Sequence, residues 1–179
     1  THTLLRKALA AARTWPEPIQ VSFNLSMRDI ASTDSIAGIV AIVRASGIDP
    51  ARIEFEVTES ALMADFDQAL RSISTLRAIG ARIALDDFGT GYSSLSHVHR
   101  LPLDQIKVDS SFVTDIETRA SSKDILRTVI DLCRNLSIDC IVEGTETRRQ
   151  AEIVRALGCW TMQGYFFARP MPLADTHRY

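Results

Sequence analysis

Two hydrophobic periods take turns along the chain. Runs rich in β-branched and aromatic residues fall at positions 20–24, 52–58, 82–86, 105–109, 139–143 and 162–167. Between them, apolar residues recur at helical spacing. Ile36, Ile39, Val40 and Val43 make one stripe, opened by Thr33 or Asp34 as cap and stopped by Gly47. Leu70, Ile73, Leu76 and Ile79 make a second, closed by Gly80. Ser121 or Ser122 caps a third, with Ile125, Leu126, Val129 and Cys133 on one side. Residues 147–157 form a fourth, ended by Gly158, and the Ala- and Leu-rich opening segment, 4–15, stops at Pro16. Such caps and breakers are ordinary helix boundaries. No linker or low-complexity stretch interrupts the alternation, so residues 1–179 read as a single domain.

Strand–helix repetition predicts βαβ units and a parallel sheet. Parallel strands covered on both faces usually read as continuous Val, Ile and Leu. Here they alternate. In Ile53-Glu54-Phe55-Glu56-Val57-Thr58 one face is apolar and the other acidic, and Gln105-Ile106-Lys107-Val108-Asp109 repeats the scheme with Lys107 on the polar face. An apolar face packs under helices, and the polar face must look into something polar. The interior of a (β/α)8 barrel near its C-terminal mouth fits that better than a doubly wound sheet. A complete barrel takes about 250 residues, so the expected fold is α/β, an incomplete TIM-type barrel of about six strands.

Composition narrows the function classes. With 46 % hydrophobic and 23 % charged residues and a net charge of −2, the chain has the balance of a globular domain. It lacks the basic excess of a DNA or RNA duplex binder. The longest apolar run, 36–43 with Gly38 allowed, is far short of the roughly 20 residues of a membrane span. Cys133, Cys140 and Cys159 form no C-x-x-C pair and read as core thiols in a reducing, cytoplasmic setting, even where a longer parent protein is membrane-anchored.

Candidate chemistry gathers at the C-terminal ends of the predicted strands: Asn24, Glu56, Asp86 with Asp87, Lys107, Glu143 and Gln163. In parallel topology those ends converge on one rim. A single strand-end acid is commonly a helix cap or a surface charge. Four carboxylates crowded around one lysine instead ask for divalent cations, because burying an unpaired carboxylate is costly. All-oxygen donors without histidine suit Mg²⁺ or Mn²⁺ rather than zinc, and two ions sharing a carboxylate would serve attack on a phosphoryl group.

The motifs themselves carry a resemblance. Asp86-Asp87-Phe88-Gly89-Thr90-Gly91-Tyr92-Ser93-Ser94-Leu95 is similar to the DDFG-x-GYSSL signature of the EAL-type cyclic-di-GMP phosphodiesterases. Ser22-Phe23-Asn24-Leu25-Ser26 resembles that family's V-N-L-S strand, Glu56-Val57-Thr58-Glu59-Ser60 its E-x-T-E-S, and Ile106-Lys107-Val108-Asp109 with Phe112 its I-K-I-D-x-x-F. Val142-Glu143-Gly144-Thr145-Glu146-Thr147 resembles A-E-G-V-E-T, departing at Val142 and Thr145. Gln163-Gly164-Tyr165-Phe166-Phe167 with Arg169-Pro170-Met171-Pro172 resembles the closing Q-G-Y-x-F-x-x-P segment.

The resemblance implies two Mg²⁺ or Mn²⁺ ions. Asn24, Glu56 and Asp86 would ligate one, and Asp86 would bridge to a second held by Asp87. It implies that Glu143 holds the metal-bound water network, that Lys107 orients or helps deprotonate the attacking water, and that Gln163 helps hold the second ion's water shell. Glu59 would order the DFG-x-G loop rather than ligate, and Pro170 belongs to the closing segment at the substrate edge. Gly89 and Gly91 would let that loop take positive φ. Glu146 is a supporting or capping position, and His97 and His99 read as surface or capping residues. The implied reaction is hydrolysis of cyclic di-GMP to linear pGpG. The implied partners are a second copy in a homodimer, through helices beside the loop, and an upstream sensory or GGDEF-type domain.

One departure matters. The 179 residues contain no Glu-Ala-Leu, the motif whose glutamate is a metal ligand in this family. The expectation is therefore that the leading strands and one ligand are missing and that this chain alone is inactive or nearly so. Two other readings stand beside the phosphodiesterase: a non-catalytic cyclic-di-GMP receptor or interaction module, and another metal-dependent barrel enzyme acting on a phosphorylated substrate.

Overall fold

A computed structural model describes residues 1–90 and 95–176. Their contacts group into two compact units, Thr1–Gln105 and a second beginning at Ile106. Across them, strands and helices alternate.

The first unit opens with α1 (His2–Ala12), whose Leu5, Leu9 and Ala12 bury one face at i, i+4 and i+7. Strands β1 (Val21–Leu25), β2 (Ile53–Thr58) and β3 (Arg82–Phe88) run parallel. Their register runs from Val21 opposite Ile53 to Leu25 opposite Val57, and from Glu54 opposite Arg82 to Thr58 opposite Asp86. Helices α2 (Met27–Ile30), α3 (Thr33–Ser46), α4 (Glu59–Ala64) and α5 (Phe66–Ala78) connect them, and α6 (Leu95–Arg100) follows β3.

Ile53, Phe55 and Val57 of β2 are fully buried, and so, nearly, are Glu54 and Glu56 on the opposite face. The acidic face is thus enclosed rather than solvated. Glu54 Oε1 accepts from Ser22 Oγ at 3.0 Å and Gln105 Nε2 at 3.1 Å, and Arg82 Nε lies 3.7 Å from Oε2. These donors offset the cost of burying the carboxylate.

Several boundaries differ from the sequence reading. The cap of α3 is Ser32, which accepts from Ser35 N, rather than Thr33 or Asp34. Its buried face uses Ile42 in place of Val40. In α5 the buried face is Ala69, Ser72, Ile73 and Leu76, leaving Leu70 and Ile79 at its margin.

Asp29 knots the start of this unit together. Its carboxylate accepts from Thr1 Oγ1 (2.8 Å), Ser26 N (3.0 Å), Ser26 Oγ and Ser35 Oγ (2.9 Å). Burial opposes its ionisation, but the hydrogen bonds from Ser26, Thr1 and Ser35 outweigh it and hold the carboxyl below its usual value near 3.8. A depressed folded pKa contributes stability above the unfolded value that disappears as pH falls through the folded one. Asp29→Asn is therefore expected to cost about 1–3 kcal/mol at pH 7. In urea titrations at stepped pH, its deficit should narrow below about pH 4.

The second unit contains β4 (Gln105–Val108, its first residue closing the first unit), α7 (Ser111–Thr114), α8 (Ala120–Leu136), β5 (Asp139–Val142), α9 (Arg148–Ala156), β6 (Thr161–Met162) and α10 (Leu173–Thr176). β5 and β6 are parallel, Ile141 opposite Thr161 and Val142 opposite Met162. Glu143 N donates to Val108 O at 3.0 Å, carrying the pairing from β4 to β5.

Helix α8 buries Leu126, Val129, Ile130 and Cys133, while Ile125 is 51 % exposed. Its N-cap is Arg119, with no side-chain cap, in place of Ser121 or Ser122. A capping box between Thr147 and Gln150 starts α9.

Strand β6 is shorter than the 162–167 run suggested, because the chain turns at Gly164. A Cβ there would sit 2.1 Å from Thr145 O, so only glycine permits the approach. Phe166 N then donates to Thr145 O at 3.0 Å, and Tyr165, Phe166 and Phe167 are about half-exposed. Gly164→Ala must push these two segments apart. Its expected cost is about 1–3 kcal/mol in a urea unfolding curve.

Candidate active site

In the first unit the site begins with register. Asn24 lies directly opposite Glu56, so both project from the same sheet face. Glu56 is 6 % exposed, and its neighbour on β3 is Ala84, whose small side chain leaves room beside the carboxylate. Asp86 follows Ala84 by two residues and so shares that face, one step nearer the C-terminal end.

Asp87 should point to the opposite face in a regular strand. It does not, because its φ is +55°, a left-handed conformation that few non-glycine residues adopt. The twist lets Asp86 and Asp87 each offer a carboxylate oxygen within 4.8 Å of the other. Backbone strain of this kind costs on the order of 1 kcal/mol and is concentrated at functional positions. Gly89, at φ +99°, then turns the chain away.

Glu59, buried at the start of α4, accepts from Gly89 N at 3.2 Å and so ties α4 to the turn after β3. Gly91, Tyr92, Ser93 and Ser94 lie outside the described residues. His97 stacks on Phe66 with ring centroids 4.6 Å apart, and Arg100 lies over the same ring at 4.7 Å. His99 is exposed.

In the second unit Lys107 is only 5 % exposed, yet it carries an ammonium group. Its Nζ lies 2.8 Å from Glu143 Oε1, just past the end of β5. A buried ammonium persists where a carboxylate meets it at this distance.

Gln163 is fixed through its backbone. Its N donates to Val142 O at 3.0 Å and its O accepts from Thr145 N at 3.1 Å, leaving the side chain exposed. Gly144 has φ +70°, and a Cβ on it would meet Ser110 Cβ at 2.3 Å. The turn after Glu143 thus packs against the end of β4. Pro170 is exposed, and so is Glu146, whose N donates to Gln150 Oε1 at 2.7 Å while Thr147 does the capping.

Two supporting acids were not among the sequence candidates. Asp109, two residues beyond Lys107, is partly buried, which opposes ionisation. Hydrogen bonds from the Ser111 side chain and from the Ser111 and Ser110 backbones outweigh that and hold its carboxyl below the usual range. Glu54 anchors the polar layer beneath Glu56, and the alternation of β2 already carried its signal.

The donor set at these strand ends is carboxylate and amide oxygen, which fits a hard divalent cation. Among the described residues, no helix is long and apolar enough to cross a membrane.

Comparison with known proteins covers most of the chain. The profile of the EAL domain matches residues 1–170. Cyclic di-GMP phosphodiesterase NbdA of Pseudomonas aeruginosa is 37 % identical over 158 residues, covering 88 % of this chain and 20 % of that protein. The solved PaMucR phosphodiesterase, in complex with c-di-GMP, superposes with a TM-score of 0.92 at 32 % identity, over 98 % of this chain and 72 % of that one. BlrP1 of Klebsiella pneumoniae, in a manganese and cy-diGMP complex, gives 0.85 at 31 % identity, over 94 % and 44 %.

The chain spans about a fifth of the length of the curated relatives it matches. Its fold class is α/β of the TIM-like barrel kind found in those structures. The chain belongs to the EAL domain family.

Proposed function

We propose that the strand-end residues serve the metal-dependent hydrolysis of a phosphodiester of cyclic di-GMP to linear pGpG. The observation that carries this reading is the Asp86–Asp87 pair, turned to within 4.8 Å by the positive φ of Asp87 in a chain of the EAL domain family. Asn24, Glu56, Asp86 and Asp87 would hold Mg²⁺ or Mn²⁺. Bound there, the ions supply Lewis-acid charge to the phosphate oxygens and lower the pKa of water.

The chain's own groups do the rest. Lys107 directs Glu143, and its ammonium hydrogen-bonds the attacking water and balances the charge that builds on it. Glu143 accepts hydrogen bonds from the same water network. Glu59 fixes the turn at Gly89, which holds Asp87 in its unusual conformation. Gln163 and Pro170 face the substrate edge. The same proposal places the activity in the cytoplasm, in a homodimer, downstream of a sensory or GGDEF-type domain, and without a DNA or RNA duplex as partner.

The 179 residues carry no Glu-Ala-Leu glutamate, and removing one metal-ligating carboxylate weakens a site severely. Tested by itself, this chain should hydrolyse cyclic di-GMP slowly or not at all. Joined to an N-terminal segment that supplies the motif, it should be active. Chelator treatment of that longer protein should abolish product formation. Re-addition of Mg²⁺ or Mn²⁺ should restore it and Zn²⁺ should not, as read by chromatography of the nucleotides. Activity that survives chelation would overturn the metal-dependent reading.

A further inference from the structure

Beneath the strand-end residues of the first unit lies a second polar layer. The register that sets Asn24 opposite Glu56 and Glu56 opposite Ala84 also sets Ser22 opposite Glu54 and Glu54 opposite Arg82. Side chains two apart on a strand share a face. Ser22, Glu54 and Arg82 therefore stand under Asn24, Glu56 and Ala84, about 7 Å nearer the N-terminal ends of the strands. Gln105, the first residue of β4, completes the layer.

Glu54 is the hub of this layer. Its buried carboxylate accepts through Oε1 from Ser22 Oγ of β1 at 3.0 Å and from Gln105 Nε2 of β4 at 3.1 Å. Arg82 Nε of β3 faces the other oxygen at 3.7 Å. One side chain of β2 is thus tied to three further strands. Of these four, β1, β2 and β3 carry Asn24, Glu56, Asp86 and Asp87.

Stability alone does not call for such a layer. The interior layers of a barrel are dominated by Val, Ile and Leu, and apolar side chains of similar volume often match or exceed a buried ion pair in stability. What the hydrogen bonds and the ion pair add is direction, since each fixes a donor–acceptor line between two strands. A Mg²⁺ site needs that precision, because the ion accepts only near-ideal octahedral geometry at about 2.0–2.1 Å.

We infer that Glu54 is a positioning residue for the metal site. It holds β1, β2 and β3 at the spacing in which Asn24, Glu56, Asp86 and Asp87 can share divalent cations, and it acts through the strands rather than as a ligand. The inference rests on the metal-dependent reading proposed above.

The test measures Mn²⁺ binding by electron paramagnetic resonance, without substrate, in the protein carrying the N-terminal Glu-Ala-Leu segment. The main variant combines Glu54→Leu with Arg82→Met, which removes both charges at similar volume. Its urea midpoint should stay close to that of the wild type. Its Kd for Mn²⁺ should rise about 10–100-fold, the range for losing a partner that orients a metal ligand. Glu54→Gln keeps an oxygen for Ser22 and Gln105 and should recover most of the affinity. Ile73→Val, a core change on α5, should lower the urea midpoint and leave the Kd unchanged.

If the double variant fails to fold, Gln105→Leu, which removes one tie, decides by the same rise in Kd. Wild-type affinity in the double variant, or in Gln105→Leu where that variant decides, would overturn this inference and leave the metal-dependent reading standing. An equal rise in Ile73→Val would reduce Glu54 to a stability role and overturn it too. A wild-type protein that binds no Mn²⁺ would overturn both readings.

Discussion

On the proposed function, Asp87→Asn is expected to lower kcat/KM for cyclic di-GMP by about 10³-fold or more, while the protein stays folded. The size follows from the several kcal/mol that a metal ion contributes to phosphoryl transfer, with each 1.36 kcal/mol worth about a tenfold change in rate. Folding is spared because asparagine, like aspartate, tolerates the left-handed backbone that holds Asp87 at φ +55°. Asn also keeps the side-chain shape and removes only the charge. The variant should therefore show an unchanged urea midpoint, a Mn²⁺ titration with about half the wild-type stoichiometry, and almost no turnover. Asp87→Ala is a poorer probe, since alanine adds backbone strain to the loss of the ligand. The comparison is made in the protein carrying the N-terminal Glu-Ala-Leu segment. A variant with near-normal turnover would remove Asp87 from the metal site.

Lys107→Met separates structure from chemistry at the ion pair. The side chain of Lys107 is almost wholly enclosed, and Glu143 is largely so. Deleting the cation takes away the charge that faces the carboxylate at 2.8 Å. Breaking a buried pair in this way costs about 3–5 kcal/mol, and the residual solvent access of Glu143 puts the expected loss near the lower bound. Turnover should fall by about 10²–10⁴-fold, the range for removing a group that assists proton transfer. The double variant Lys107→Met, Glu143→Gln relieves the uncompensated charge and should recover most of the urea midpoint while remaining inactive. Recovery of both stability and turnover would mean that the pair is structural. Recovery of neither would mean that the fold, and not the charge, depends on Lys107.

The strands were legible because each writes its two faces into the sequence. Glu54 and Glu56 alternate with Ile53, Phe55 and Val57, and the structure encloses both sets. Strand β6 was read too long because Tyr165, Phe166 and Phe167 have strong β propensity. What ends the strand is the contact between Gly164 and Thr145 O, a tertiary approach that local pattern does not encode. Helix α3 offers Ser32, Thr33, Asp34 and Ser35 in succession, all able to cap. Only the backbone geometry selects Ser32. Ile125 was placed on the wrong side of α8 because a helical stripe read from one apolar residue too many rotates the face by about 100°.

At the site, residue types and order were visible, and conformation was not. Aspartates 86 and 87 are adjacent letters, which in a strand would put their carboxylates on opposite faces. The positive φ that reunites them leaves no trace in composition. Likewise, the three cysteines are separated by 7 and 19 positions, so nothing local announces that they line one cavity.

The most direct test of the account is product analysis of cyclic di-GMP incubated with Mn²⁺ and either the 179-residue chain or the same chain joined to an N-terminal Glu-Ala-Leu segment. The account predicts linear pGpG from the longer protein and little or none from the shorter. Tight binding of cyclic di-GMP by the longer protein, with no pGpG formed, would contradict it and make the chain part of a receptor.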